Sequence, residues 1–428
     1  MTLLSRPTIS IGDALSTLVR GDLPVRFEAY DGSAAGPADA DIRLELRSER
    51  GLRYLLTAPR DLGMARAYVA GDLALHGVHP GDPYAALALL QGSLRLRPPA
   101  PTEVVHLLRG LGVAPLVPPA PPPQEHLPRW RRTVEGLRHS MGRDAEAIQH
   151  HYDVSNVFYR HVLGPSMTYT CAVYPDETAS LEQAQETKYD LVARKLDLRP
   201  GQRLLDIGCG WGGMVLHAAR EHGVRALGVT LSQAQAEWAG ERIREEGLED
   251  LAEVRHLDYR LVEEDGFDAV SSIGLTEHIG VRNYPAYFGW IRDRLRPGGR
   301  LLNHCITRAD NTGRATAGPF IDRYVFPDGE LAGSGTIVTA VEDARLEVQH
   351  HENFRVHYAR TLAAWCANLV EHWEECVAEV GEGTARVWGL YMAGSRLAFE
   401  RNEIQLHHVL ATRTDEHGVS GYPLRHTF

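Results

Sequence analysis

Asp206, Gly208, Gly210, Gly212 and Gly213 close a hydrophobic run, the stretch Leu204 to Gly213 reading LLDIGCGWGG. An acidic side chain followed by a bare-backbone turn at the carboxyl end of a strand lets a nucleoside lie directly against the peptide. The same glycines fit GxGxxG, so a dinucleotide-binding dehydrogenase shares the signal, as does a turn that binds nothing. Asp206 separates these readings: two residues ahead of the first glycine, it is placed to meet a cationic group such as the methionine ammonium of S-adenosylmethionine.

Such a turn works only if the flanking chain supplies strands to aim it. Ala226 to Ser232 (ALGVTLS) reads as a second strand that ends in a cap for a helix rich in Gln and Ala. Val254 to Tyr259 and Phe267 to Ile273 are short apolar runs ending in polar groups. This strand, helix, strand, helix period predicts a class I S-adenosylmethionine methyltransferase fold: α/β, Rossmann-like, with a seven-stranded, mostly parallel sheet from about residue 200. The alternation in EIQLHHVLATR, after a helix expected over Val387 to Arg401, predicts a closing antiparallel hairpin that includes Ile404 to Thr412.

At 428 residues the chain suits two domains. PLVPPAPPPQ, from Pro115 to Gln124, reads as a stiff connection. The expected division is therefore a small α/β domain over 1–114, a proline-rich linker over 115–128, and a methyltransferase domain over 129–428. Within the first part, Val25 to Ala29 and Ile42 to Leu46 look like strands and Arg66 to Ala70 looks helical. No catalytic constellation stands out there, and packing, dimerisation or lipid presentation are its open roles. The net charge of -11 argues against a nucleic-acid partner. The five cysteines show no CxxC spacing, so a reducing cytoplasm fits better than disulfides or structural zinc, and no metal is expected. No apolar run reaches membrane-spanning length. Arg129-Trp130-Arg131-Arg132, with Arg138, His139 and Arg143, could hold anionic phospholipid headgroups, although a solvated helix face reads equally well.

Further motifs flank the glycine turn. His151 to Asn156 (HYDVSN) and Gly164 to Ala172 (GPSMTYTCA) precede it; Thr276 to Gly280 (TEHIG) and Tyr324 to Gly329 (YVFPDG) follow. Over roughly residues 145–415 these closely resemble the cyclopropane-fatty-acyl-phospholipid synthase and mycolic acid methyltransferase family. The first domain, the linker and the wording around Asn303 to Arg308 resemble in particular the branch that makes 10-methylene fatty acids on oleoyl phospholipids, with a partner reductase completing the methyl branch. The resemblance implies that Tyr169, Thr170, Gly208, Thr230, Gln235 and Tyr259 contact S-adenosylmethionine. Asp206, Gly210 and Asp258 are physically sensible additions. Thr230 stands where many such folds carry an acid for the ribose, a departure the family shares. The resemblance also implies a bicarbonate pocket at Cys171, Glu277, His304, Ile306 and Tyr358, while a cysteine found late in the family falls at Ser395, against covalent catalysis there.

The implied chemistry asks much of its surroundings. An isolated double bond is a poor nucleophile, so it must be held in line with the sulfonium methyl, and the resulting carbocation needs electron-rich neighbours without competing water. Tyr169, Tyr358, Phe320, Phe326 and Trp365 are candidate aromatic walls, though each type is common in plain cores. A carboxylate such as Glu277 after the fourth strand often serves only as a cap or ion-pair partner, and a lone histidine such as His304 is usually a satisfied core residue. Each gains meaning from the other. Glu277 also occupies the slot where amino-methylating enzymes carry an Asn-Pro-Pro-aromatic motif, absent here. The expectation is thus a C-methyltransferase of unsaturated phospholipid acyl chains giving a 10-methylene product, peripherally membrane-associated in the cytoplasm and homo-oligomeric. A cyclopropane synthase, which shares the first step, and a non-catalytic lipid-binding module are the alternatives.

Overall fold

Alternating side chains shape the first part of the chain. In the computed structural model, which describes residues 9–58, 61–95, 97–98, 100–112, 114–125, 155–313, 318–327 and 329–428, strands β1 (Arg26–Ala29), β2 (Ala34–Ala35), β3 (Arg43–Leu46) and β4 (Leu73–His76) form a sheet in the order β2-β1-β3-β4. Phe27, Ala29, Leu44 and Leu46 point into the core, while Arg26, Arg43 and Glu28 pair outside it. The helix expected near Arg66 spans Leu62–Val69.

The proline-rich stretch is fastened rather than free. Tyr54 Oη donates to Ala120 O at 2.5 Å and Arg53 Nε to Val117 O at 2.8 Å. Arg66 grips Glu125 through two bonds of 2.5 and 2.6 Å, with the Glu125 side chain only 1% exposed. Internal contacts divide the chain into one unit of Met1–His126, Gly318–Val325 and Leu369–Leu397, and a second of Leu127–Ala317, Phe326–Asn368 and Ala398–Phe428. The chain thus returns to the first unit twice, where the sequence expects one cut.

The second unit is built on β5 (Arg203–Ile207), β6 (Arg225–Thr230), β7 (Ala252–His256), β8 (Phe267–Ile273), β9 (Leu295–Arg308), β10 (Glu347–Asn353) and β11 (Ile404–Thr412). Their order is β10-β11-β9-β8-β5-β6-β7, with β11 antiparallel to both neighbours and β5 to β9 mutually parallel. This is the seven-stranded, mostly parallel sheet that the sequence predicts. Three helices, Arg355–Glu371, Trp373–Val380 and Glu382–Glu400, separate β10 from β11, so their pairing closes a long connection and not a tight hairpin. Strand β5 is buried on both faces, as a central parallel strand must be. Leu205 and Ile207 join one core cluster with Val229, Phe288 and Leu301; Leu204 joins the other with Val192, Val215 and Leu302. Leu205→Ala is expected to cost about 2–5 kcal/mol through lost burial and a residual cavity, read as a lower denaturant midpoint for loss of the sheet signal; an unchanged midpoint would contradict this core assignment.

The basic stretch Arg129 to Arg132 with Arg138, His139 and Arg143 lies outside the described residues, as do His151 to Val154 and Asp328. Among the described residues no helix is long and apolar enough to cross a membrane.

Candidate active site

Beyond β5 the chain turns through Gly208 (φ +72°), Gly210 (φ +56°) and Gly212 (φ +82°) into the helix Gly213–His222. The Gly208 and Cys209 amides both donate to Val229 O, at 2.9 and 3.0 Å, which ties the turn to β6. A Cβ on Gly208 would lie 3.2 Å from the Leu275 side chain in a backbone conformation that L residues rarely adopt. On Gly213 it would collide with the Tyr189 hydroxyl. The resulting cleft, about 1080 Å³ including its mouth, is lined by every residue expected to meet the nucleoside: Tyr169, Thr170, Asp206, Gly208, Gly210, Thr230, Gln235, Asp258 and Tyr259.

Charge inside the cleft is finely set. Asp206 is 2% exposed and its Oδ1 accepts from Ser271 Oγ at 2.6 Å. Burial raises its carboxyl to about 6, against the downward pull of the Ser271 bond and the Lys188 ammonium. Lys188 is itself fully buried; desolvation lowers it to about 7, and its Nζ donates to Thr170 Oγ1 at 3.0 Å. A carboxyl poised this way gains most from a cationic ligand group, and S-adenosylmethionine carries two. Thr230 Oγ1 donates to Gln235 Oε1 at 2.7 Å, so the group Gln235 can offer a ligand is its amide nitrogen. Asp258 is more committed: both of its oxygens are bonded to Arg260, at 2.5 to 2.9 Å, and Oδ1 caps the turn Tyr259–Leu261. The Tyr259 ring is braced edge-on against Tyr287 and Trp290.

A second cluster gathers around the carboxyl ends of β8 and β9. Glu277, on the short helix Thr276–Ile279, is 8% exposed, and its Oε1 accepts from the Ile306 amide at 2.6 Å. Its Oε2 is buried without a hydrogen-bond partner, and burial raises the carboxyl to about 7. Ile306 therefore acts through its backbone, orienting Glu277. His304, 1% exposed, bonds through Nδ1 to His408 Nε2 at 2.8 Å, while its own Nε2 is buried and unpartnered. Burial holds that imidazole well below its usual range. The His408 ring packs on Phe354 at 4.4 Å; Phe354 O accepts the Tyr358 amide and, at 3.9 Å, the Cys171 thiol. Burial pushes the Cys171 thiol up, so at neutral pH it is a weak donor and not a thiolate. These contacts bring Cys171, His304 and Tyr358 to one neighbourhood, and Ile306 links Glu277 to the strand that carries His304.

Of the aromatic walls expected, Tyr169, Trp365 and Tyr358 form a connected row, with centroids 5.4 and 6.1 Å apart, that continues to Phe399. Phe326 meets His278 edge-on at 5.3 Å. Phe320 stacks on Tyr324 in the first unit. Sequence reasoning missed Lys188, Lys195 and His408. The helix Leu181–Leu196 buries Ala184, Gln185, Lys188, Val192, Ala193, Lys195 and Leu196. Placing the helical period on its alanines and valine would have put both lysines on the inward face.

Residues 139–409 match the family described as mycolic acid cyclopropane synthetase. A probable fatty acid methyltransferase of Mycobacterium tuberculosis is 63% identical over 405 residues, 95% of each chain. The cyclopropane-fatty-acyl-phospholipid synthase of Escherichia coli strain K12 is 36% identical over 269 residues, 63% of this chain and 68% of that one. Among solved structures, the mycolic acid cyclopropane synthase CmaA1 complexed with SAH and CTAB superposes with a TM-score of 0.59 at 28% identity, covering 62% of this chain and 97% of its own.

Proposed function

Because the chain belongs to the mycolic acid cyclopropane synthetase family and is an S-adenosylmethionine-dependent methyltransferase acting on lipid double bonds, we propose that it methylates oleoyl chains of phospholipids to give a 10-methylene product. The observation that carries the reading of the site is the pair of buried polar atoms without hydrogen-bond partners, Glu277 Oε2 and His304 Nε2, at the carboxyl ends of β8 and β9. Unpaired buried groups are costly, so their retention points to a ligand that satisfies both.

S-adenosylmethionine, held by Asp206, Thr230, Gln235 and the Gly208 turn, supplies an electrophilic methyl on a sulfonium. The row Tyr169, Trp365 and Tyr358 presents ring faces and edges to an acyl chain and keeps water away from the cation that methylation leaves on it. A cation over a ring face is stabilised by roughly 0.5 to 2 kcal/mol. Glu277 Oε2, fixed through its partner oxygen by the Ile306 amide, with His304 Nε2 and Tyr358, would hold a bicarbonate ion, which would supply a base for the proton that the methylated chain loses. A hydride shift on the acyl chain before proton loss leaves an exocyclic methylene; loss during ring closure leaves a cyclopropane.

The methylene branch is favoured by the 63% identity to a named fatty acid methyltransferase, and the cyclopropane alternative by the family's description and the Escherichia coli relative. Lipids extracted from cells expressing the protein with methyl-labelled methionine should carry the label on oleoyl-derived chains. Ozonolysis should convert the product to a ketone at the tenth carbon. A labelled chain that resists ozonolysis would make it a cyclopropane synthase; no label in lipid would remove the reading altogether. The basic stretch at Arg129 to Arg143 suits a peripheral membrane partner, and a methylene product calls for a reductase acting after it.

A further inference from the structure

Glu352 on β10, His408 on β11 and His304 on β9 stand directly opposite one another across three neighbouring strands. Side chains at paired positions share a sheet face, so the register alone lines these three up in a row. Lys195 of the helix Leu181–Leu196 lies over that row. Its Nζ donates to Glu352 Oε2 at 2.5 Å and contacts His408 Nδ1 at 3.1 Å, and His408 Nε2 meets His304 Nδ1 at 2.8 Å. The chain is continuous from a side chain 41% exposed, Glu352, through a fully buried lysine and two buried histidines, to the unpartnered His304 Nε2.

The chemistry of the donors fixes the polarity of this chain. An ammonium can only donate. With Lys195 charged, His408 must accept at Nδ1 and so carries its proton on Nε2, which it gives to His304 Nδ1. His304 in turn carries its proton on Nε2. With Lys195 neutral, its lone pair can accept, and both histidines can hold their protons on Nδ1 instead. The two arrangements differ by one proton, taken in at His304 and held at Lys195. Other charged groups near the row are Lys188, Arg194 and His350, the last 4.0 Å from Glu352, and the rings of Phe354 and Phe428 flank the ammonium. Desolvation lowers Lys195 despite its bond to Glu352, which makes the neutral amine more accessible than on a surface lysine.

We propose that His408, Lys195 and Glu352 form the route by which the proton lost from the methylated acyl chain leaves the buried site. This rests on the function proposed above, because conversion of an alkene and a methyl cation equivalent into a methylene or cyclopropane chain releases one proton per turnover. The outward step starts from the neutral amine with both rings protonated on Nδ1, and in it that proton reaches His304 Nε2 from the pocket base. The Nδ1 proton of His304 passes to His408 Nε2, and the Nδ1 proton of His408 passes to the Lys195 amine. The resulting ammonium gives a proton to the Glu352 carboxylate, which exchanges it with solvent. Beside the neutral amine both rings return to the Nδ1 tautomer, which restores the starting state without net proton transfer; no electrons move between groups. His408, Lys195 and Glu352 touch no substrate and are positioning residues that act through His304.

The test compares the full-length enzyme with Lys195→Met, Lys195→Arg and Glu352→Gln on dioleoyl phospholipid vesicles with methyl-labelled S-adenosylmethionine. Arginine keeps the charge and most of the packing but cannot give up its proton. Both lysine variants should therefore lose at least tenfold in kcat, with S-adenosylmethionine affinity within twofold of wild type. Their solvent deuterium isotope effect should rise as proton exit becomes limiting. Glu352→Gln, where water can substitute, should lose less, about twofold to fivefold. A Lys195→Arg enzyme with wild-type kcat and isotope effect would overturn the proposal, and this variant with Glu352→Gln decides the matter even if Lys195→Met fails to fold. Nitrogen-15 spectra of the histidine rings across pH give a readout independent of turnover: in wild type His304 and His408 should both be Nε2-protonated where Lys195 is charged and Nδ1-protonated where it is neutral, and Lys195→Met should abolish that switch. Rings that keep one tautomer throughout in the wild type would refute the wiring. Failure of the functional reading looks different, as wild-type enzyme that puts no label into lipid.

Discussion

Glu277→Gln is expected to lower kcat and kcat/KM together by a factor of about 10² to 10⁴, the usual span for a group that assists proton transfer, with S-adenosylmethionine affinity unchanged within twofold. The residue does not line the nucleoside cleft, and its buried Oε2 has no hydrogen-bond partner. Loss in both constants marks an interaction made mainly in the transition state. The sign of the pH dependence follows from burial, which raises this carboxyl from 4.5 to about 7. Because Oε1 accepts from the Ile306 amide, protonation falls on Oε2 and turns it from acceptor into donor, so kcat/KM in the wild type should fall as pH drops through about 7. Glutamine cannot titrate, so the variant should lack that limb. Added bicarbonate should restore activity to stripped wild-type enzyme and help Glu277→Gln little. If stripped enzyme ignores bicarbonate, the base is a side chain and His304 becomes the first to test; if the glutamine variant turns over normally, the second cluster is not catalytic.

The cofactor half of the site was legible because it is local. One turn, two strand ends and a helix cap carry Asp206, Gly208, Thr230 and Gln235, and each is punctuated by glycine, by a serine cap or by the end of an apolar run. The strand over Ile404–Thr412 was legible for the same reason, since alternation is a property of adjacent residues. What sequence could not convey is register. His304 and His408 are 104 positions apart and meet only because β9 and β11 pair with one particular alignment. A shift of one residue would bring His407 to that row in place of His408. Lysines in a helix are ordinarily read as its wet face, so Lys188 and Lys195 were passed over although each is completely buried. Asp258 lines the cleft as its type and position suggest. Arg260, two residues on, bonds both of its oxygens, and that short-range pairing is written in the sequence itself.

Asp206→Asn is expected to weaken S-adenosylmethionine binding by roughly tenfold to a hundredfold, the worth of one hydrogen bond to a charged group at about 1.5–3 kcal/mol. The substitution keeps shape and leaves an acceptor for Ser271 Oγ, so the sheet should survive it; Ala would add a small cavity to the same loss of charge. Linkage supplies a second readout. Burial raises the carboxyl to about 6 in the free protein, with Ser271 and Lys188 pulling the other way, while a bound cation stabilises the carboxylate and lowers it further. Wild-type affinity should therefore be pH-independent well above 7, once both Asp206 and Lys188 have lost their protons, and should fall towards tenfold per unit below 6 as Asp206 protonates, whereas the asparagine variant should bind weakly and lack the Asp206 limb. Lys188 titrates near 7 and, being a cation beside the same carboxylate, changes affinity in the same direction with pH: its deprotonation removes repulsion and favours binding. Lys188→Met should thus bind S-adenosylmethionine at least as well as wild type at pH 6, provided it folds. Titration calorimetry across pH 5 to 8 on the three proteins separates these contributions, and wild-type affinity with a wild-type slope in Asp206→Asn would remove Asp206 from the cofactor site.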